Sequence, residues 1–238
     1  MLANSRPAWA ADCPPVTDTP VFHVPHTRAA LATNQPIIIV ALGSSSTRGW
    51  MASDVGHSYP ALLQQYLNEV VPHASVAIIN RGIGGQDAPE ELARLDADVL
   101  AIKPQMVIWQ VGANGALRDT PLQTFRRLVE DGVAKLKAAG IDVVLMDNQR
   151  APRIQASPEH AAIGETMREI AKDSGVNLFS RGGLMDSWAK AGFPNEDFIA
   201  ADGLHMNNRG YACLAESLGE SIAAALRQPI TRQQLSTK

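Results

Sequence analysis

Cysteine is scarce in this 238-residue chain, aromatic residues make up only 5%, and neither charge sign dominates. Cys13 and Cys213 are too few for a disulfide framework and too far apart for a zinc knuckle. A single bridge tying the N-terminal arm to the last helix and a pair of buried free thiols both fit. Twenty-one basic against 24 acidic residues leave a formal charge of −3, which argues against a nucleic-acid surface. No apolar run reaches the roughly 18 residues needed to span a bilayer. With 18 Gly and 15 Pro, collagen-like and low-complexity readings fail. What remains is ordinary globular composition, 45% hydrophobic and 19% charged, with a small-molecule substrate as the first expectation.

Residues 1–35 read as an N-terminal extension. Ala8-Trp9-Ala10 fits the small-x-small pattern of a signal-peptidase site, although residues 1–7 hold no apolar stretch. Export to the periplasm or outside the cell is therefore expected, with a cytoplasmic chain as the alternative. Residues 11–35, rich in Pro and Thr without a sustained period, read as an extended arm. From Pro36 onward the pattern changes. The run Ile37-Ile38-Ile39-Val40-Ala41-Leu42 lacks polar alternation, as a strand buried on both faces of a parallel sheet must. Shorter apolar runs follow at 75–79, 106–111, 143–146 and 176–179. Helical spacing fills the intervals at 59–70, 89–102, 121–139, 158–174 and 207–226, several opened by Ser, Thr or Pro and stopped by Gly. This alternation predicts a three-layer α/β/α sandwich around a parallel sheet of about five strands, flavodoxin-like in its layering, over residues 36–228, with a polar tail at 229–238.

In such open sheets the ligand sits beyond the carboxyl ends of the strands. The first strand is followed by Gly43-Ser44-Ser45-Ser46-Thr47, the second by Asn80-Arg81-Gly82-Ile83-Gly84-Gly85-Gln86, and the third by Gly112-Ala113-Asn114. The glycine turn departs from the dinucleotide-binding spacing, with Asp87 in the place of the third glycine, which disfavours a nucleotide site. Before the last helix stands Asp202-Gly203-Leu204-His205. A carboxylate three residues before a histidine can hold the Nδ1–H and leave Nε2 free to take a proton from a hydroxyl.

Together these four blocks resemble those of the SGNH (GDSL-type) hydrolase superfamily, and the likeness covers residues 36–226. It implies a serine esterase working through an acyl-enzyme, with Ser45 as nucleophile, His205 as base and Asp202 as its partner. The backbone N–H of Ser45, that of Gly85 and the Asn114 side chain would form the oxyanion hole, and no metal or cofactor is called for. An acyltransferase, a lysophospholipase or a thioesterase would use the same set, whereas a binding domain that only keeps the fold would be expected to lack a triad member. Two positions depart from the pattern. Ser44 and Gly115 stand where the superfamily commonly has Asp.

Trp50 and Met51 follow the nucleophile block and could line the mouth of the site, and Arg150 and Arg153 follow the fourth strand. His23 and His26 form a His-x-x-His pair in the arm that reads as exposed polar residues and not as a ligand set, and His57, His73 and His160 have no Cys or carboxylate partners at metal-ligand spacing. The aperiodic stretches 148–157 and 180–201 are expected to wall the site. Their apolar residues, Trp188, Phe193 and Phe198, are interrupted by charge, so a small ester with a short acyl group is favoured over a long-chain lipid.

Overall fold

The computed structural model describes residues 7–16 and 19–228. The expected tail at 229–238 and the first six residues of the extension lie outside them. Five strands, β1 (Ile37–Gly43), β2 (Val76–Gly82), β3 (Met106–Gln110), β4 (Asp142–Met146) and β5 (Asn177–Phe179), form one sheet in the order β2-β1-β3-β4-β5. Every neighbouring pair runs parallel. Because side chains alternate across a strand, the unbroken apolar run of β1 feeds two cores at once. Ile37, Ile39 and Ala41 pack on one face, and Val40 and Leu42 on the other. Helices Tyr59–Val70 and Asn208–Arg227 cover the first face; Leu122–Ala138 and His160–Ser174 cover the second. Each fully buried Leu, Ile or Val contributes about 1.5–3 kcal/mol, so the two layers carry most of the stabilisation.

Local pattern and structure agree closely where the apolar stripe is strong, and the helix expected at 59–70 has those bounds. The helix expected over 89–102 is broken. It divides into Ala88–Ala93, Leu95–Asp98 and a 3-10 turn at Leu100–Ile102. Arg94 sits at the first break, at φ −104°, and its guanidinium donates to Gln86, Asp98 and the carbonyl of Gly43.

The arm is not simply extended. Pro25–Ala32 is a helix, and Phe22 and Val24 are buried in the same core as the last helix. No local side chain caps this helix. The carboxylate of Asp142, at the start of β4, instead accepts the N–H groups of His26 and Thr27 and the Thr27 hydroxyl. Nearer the start, Ala8–Ala10 forms a 3-10 turn with Ala10 fully buried, and Trp9 packs edge-on against Tyr66. Cys13 and Cys213 are joined in a disulfide, their Cα atoms 5.2 Å apart. Of the two readings of the cysteines the bridge is the one observed. Among the described residues no helix is long and apolar enough to cross a membrane.

Candidate active site

The strand order places β1 between β2 and β3, so the Ser, Gly and Asn turns that follow them emerge side by side. Ser45 opens a single helical turn, Ser45–Arg48, directly after β1. Of the three consecutive serines, Ser44 and Ser46 are buried and Ser45 is half-buried. The Ser45 Oγ lies 2.7 Å from His205 Nε2, and His205 Nδ1 lies 2.5 Å from Asp202 Oδ2. A carboxylate only accepts, so Nδ1 carries the proton and Nε2 is the acceptor for the Ser45 hydroxyl. Oδ1 of Asp202 also accepts the backbone N–H groups of Leu204 and His205. Burial pushes the Asp202 carboxyl up, but the His205 ring and these two N–H groups outweigh it and hold it below the ordinary value.

The loop that presents Asp202 and His205 is itself fixed. Ile199 and Met206 form an antiparallel bridge, Ala200 N–H donates to His205 O, and Asn207 N–H donates to Phe198 O. From the neighbouring segment, the Gln149 amide donates to Leu204 O and Arg153 N–H donates to Gly203 O. The stretch 148–157 therefore does border the Asp202–His205 loop.

Gly85 sits at φ +79°, in the left-handed region, and nothing lies within 4 Å of where a Cβ would be. Backbone conformation, rather than lack of room, requires glycine there. Arg118 donates to the Gly85 carbonyl and pairs with Glu90. Asn114, half-buried on the short helix Ala113–Leu117, donates one amide hydrogen to Gln86 O at 2.7 Å, which leaves it a second.

The two departures have structural counterparts. Ser44 donates both its N–H and its hydroxyl to Gln110 Oε1, which also accepts from Thr47. At Gly115, an added Cβ would lie 3.2 Å from the Asp87 carboxylate, so a carboxylate from the β2 turn fills the space beside it. Asp87 in turn accepts from Thr120. Sequence reasoning overlooked Gln110 and Asp87 as supports; the one polar residue ending the apolar run of β3 was the available signal.

Trp50 is 50% exposed, with its ring centroid 6.5 Å from that of His205. Met51 beside it is also exposed. Arg150 is engaged elsewhere, in a two-pronged bond with Asp186 at 2.8 and 2.7 Å. Within 180–201, ten residues form the helix Arg181–Lys190, and Trp188 and Phe198 pack on each other inside the core instead of walling the site.

Comparison with known proteins identifies the family. The Non-GDSL lipase-like family model matches residues 10–228. An arylesterase of Vibrio mimicus is 25% identical over 189 residues, covering 79% of this chain and 89% of its own. Among solved structures, the lipase/acylhydrolase of Enterococcus faecalis superposes with a TM-score of 0.67 at 24% identity, covering 82% of this chain and all of that one. The acetylxylan esterase Axe2 of Geobacillus stearothermophilus gives 0.67 at 20% identity, covering 78% and 94%. A match over nearly the whole chain, on a five-stranded parallel sheet with this order of turns, establishes the kinship: the chain belongs to the Non-GDSL lipase-like family, within the SGNH hydrolase superfamily, and is a carboxylic ester hydrolase.

Proposed function

We propose that the enzyme cleaves a short-acyl ester through an acyl-enzyme on Ser45. The observation that carries this reading is the unbroken chain of contacts from Ser45 Oγ through the imidazole to Asp202. A serine hydroxyl is a weak nucleophile until a base removes its proton, and His205 Nε2 is within reach to do so. Attack on the ester carbonyl places negative charge on its oxygen. Backbone N–H groups of Ser45 and Gly85 and the free amide hydrogen of Asn114 are the donors for that charge. The imidazolium is stabilised by Asp202, which its partners keep ionised. His205 then returns the proton to the departing alkoxide, and water repeats the sequence to release the acid.

Support for a small acyl group comes from the segment 180–201, whose largest aromatics turn into the core and leave no apolar channel of their own making. The Cys13–Cys213 bridge supports a place outside the reducing cytoplasm, in the periplasm or beyond. An organophosphonate tests the nucleophile: one adduct is expected, on the peptide containing Ser45, and an adduct on Ser44 or Ser46 would overturn the assignment. On p-nitrophenyl esters, activity is expected to peak at about two to four acyl carbons, since longer chains gain only where methylenes are buried.

A further inference from the structure

Five large hydrophobic side chains are exposed among the described residues, and four of them, Trp50, Met51, Val55 and Ile83, lie on the two segments that follow β1 and β2. These segments flank Ser45. The first is held in place. Trp50 O accepts the Tyr211 hydroxyl at 2.8 Å, Trp50 N–H donates to Ser45 O at 2.9 Å, and Ser53 and Asn208 exchange two hydrogen bonds of 2.9 Å. An indole left half in water on a pinned backbone needs little ordering to receive a ligand.

Its position says which half of an ester it would meet. Protonation of the departing oxygen must come from His205 Nε2, so the alcohol lies on the imidazole side of the tetrahedral centre. The Trp50 ring is on that side, tilted 54° to the imidazole. Gly85 and Asn114, the proposed donors to the carbonyl oxygen, come instead from the turns after β2 and β3. Aromatic rings pair best offset-stacked or edge-to-face, and an exposed indole offers both its face and its edge to a ring. We infer that Trp50 is the specificity platform for the alcohol half of the ester, and that it selects alcohols carrying a ring, either an aryl ring or the C–H face of a pyranose. This rests on the acyl-enzyme reading above. The exposed Arg48 guanidinium lies over one face of the indole, 6.0 Å from its centre, and offers donors that suit ring hydroxyls.

Matched esters separate this inference from the reading beneath it. Benzyl acetate carries its ring on the alcohol, ethyl benzoate carries it on the acyl group, and ethyl acetate has none; the first and last leave alcohols of similar basicity. In Trp50→Ala the ratio of kcat/KM for benzyl acetate over ethyl acetate is expected to fall about tenfold, the size of one aromatic contact. Trp50→Phe should retain most of the ratio. The ratio for ethyl benzoate over ethyl acetate should move less than about twofold, a change too small for a lost ring contact. An O-acetylated methyl pyranoside run in parallel tells a sugar from an aryl preference, and a collapse on either supports the platform. An equal loss on all esters, a loss confined to ethyl benzoate, or no loss on either ring alcohol would overturn it. Failure of the wild-type enzyme to hydrolyse any of them, with Ser45 unlabelled by phosphonate, would instead overturn the acyl-enzyme reading and the inference with it.

Discussion

Asp202 and Asp142 sit at opposite ends of the sheet and hold the same kind of net. Each accepts two backbone N–H groups and one side-chain hydrogen, from Leu204 and His205 in one case and from His26 and Thr27 in the other. The outcomes differ. Asp142 is nearly sealed, and burial raises its carboxyl above the ordinary value despite the Thr27 and His26 bonds. Asp202 is a quarter exposed and its pKa is lowered. One carboxylate fastens the arm to the core; the other keeps a negative charge beside a histidine. Hydrogen-bond count alone does not separate the two, whereas solvent access and the nature of the third partner do.

Substituting each in turn should break the symmetry. Asp202→Asn is expected to lower kcat about 10⁴-fold, the scale found when a triad histidine loses its correct tautomer, with the melting temperature little changed. On the same edge, Asn114→Ala should cost about 10²–10³ in kcat with KM nearly constant, as an amide used in the transition state requires. A rise in KM at constant kcat would make Asn114 a ground-state contact. At the other end, Asp142→Ala leaves buried donors without an acceptor and should cost about 3 kcal/mol, seen as a drop of roughly 6–12 °C in Tm. Its kcat/KM per folded molecule should stay near that of the wild type. A large kinetic defect in Asp142→Ala would show that the two ends are coupled.

A third carboxylate sharpens the contrast. Glu91 is wholly buried, accepts from the Trp109 indole at 2.8 Å, and burial pushes its pKa up to about 8. A carboxyl that binds its proton more tightly folded than unfolded contributes stability that is full below the ordinary glutamate value. That contribution is lost as pH rises through about 8. Denaturant midpoints of the wild type should therefore decline over that window, and those of Glu91→Gln should decline less. Identical slopes for the two proteins would remove Glu91 as the source.

The end that carries Ser45 and His205 was the more legible in sequence, because its signals are local. Asp202 and His205 are three residues apart, and the Ser, Gly and Asn turns each follow a strand that its own composition announces. The helix at 59–70 carries its full apolar stripe within twelve residues. What escaped was whatever depends on distant partners. The arm helix Pro25–Ala32 takes its cap from Asp142, more than a hundred residues away, so no local capping residue marks it. The helix Arg181–Lys190 buries Arg181 and has little amphipathic pattern. Arg150, placed near the site by its strand, meets Asp186 only because that unexpected helix exists.

The bridge between Cys13 and Cys213 closes a covalent ring around every strand and every residue of the proposed site, including Asp202 and His205. A single nick in any loop between them would leave two fragments that still travel as one molecule. On a denaturing gel such a nicked enzyme should run as one full-mass band without reductant and as two bands with it. A protease that tolerates the folded state could thus cut at the exposed turn Pro72-His73, between the helix Tyr59–Val70 and β2, and leave β1 tethered to the other four strands.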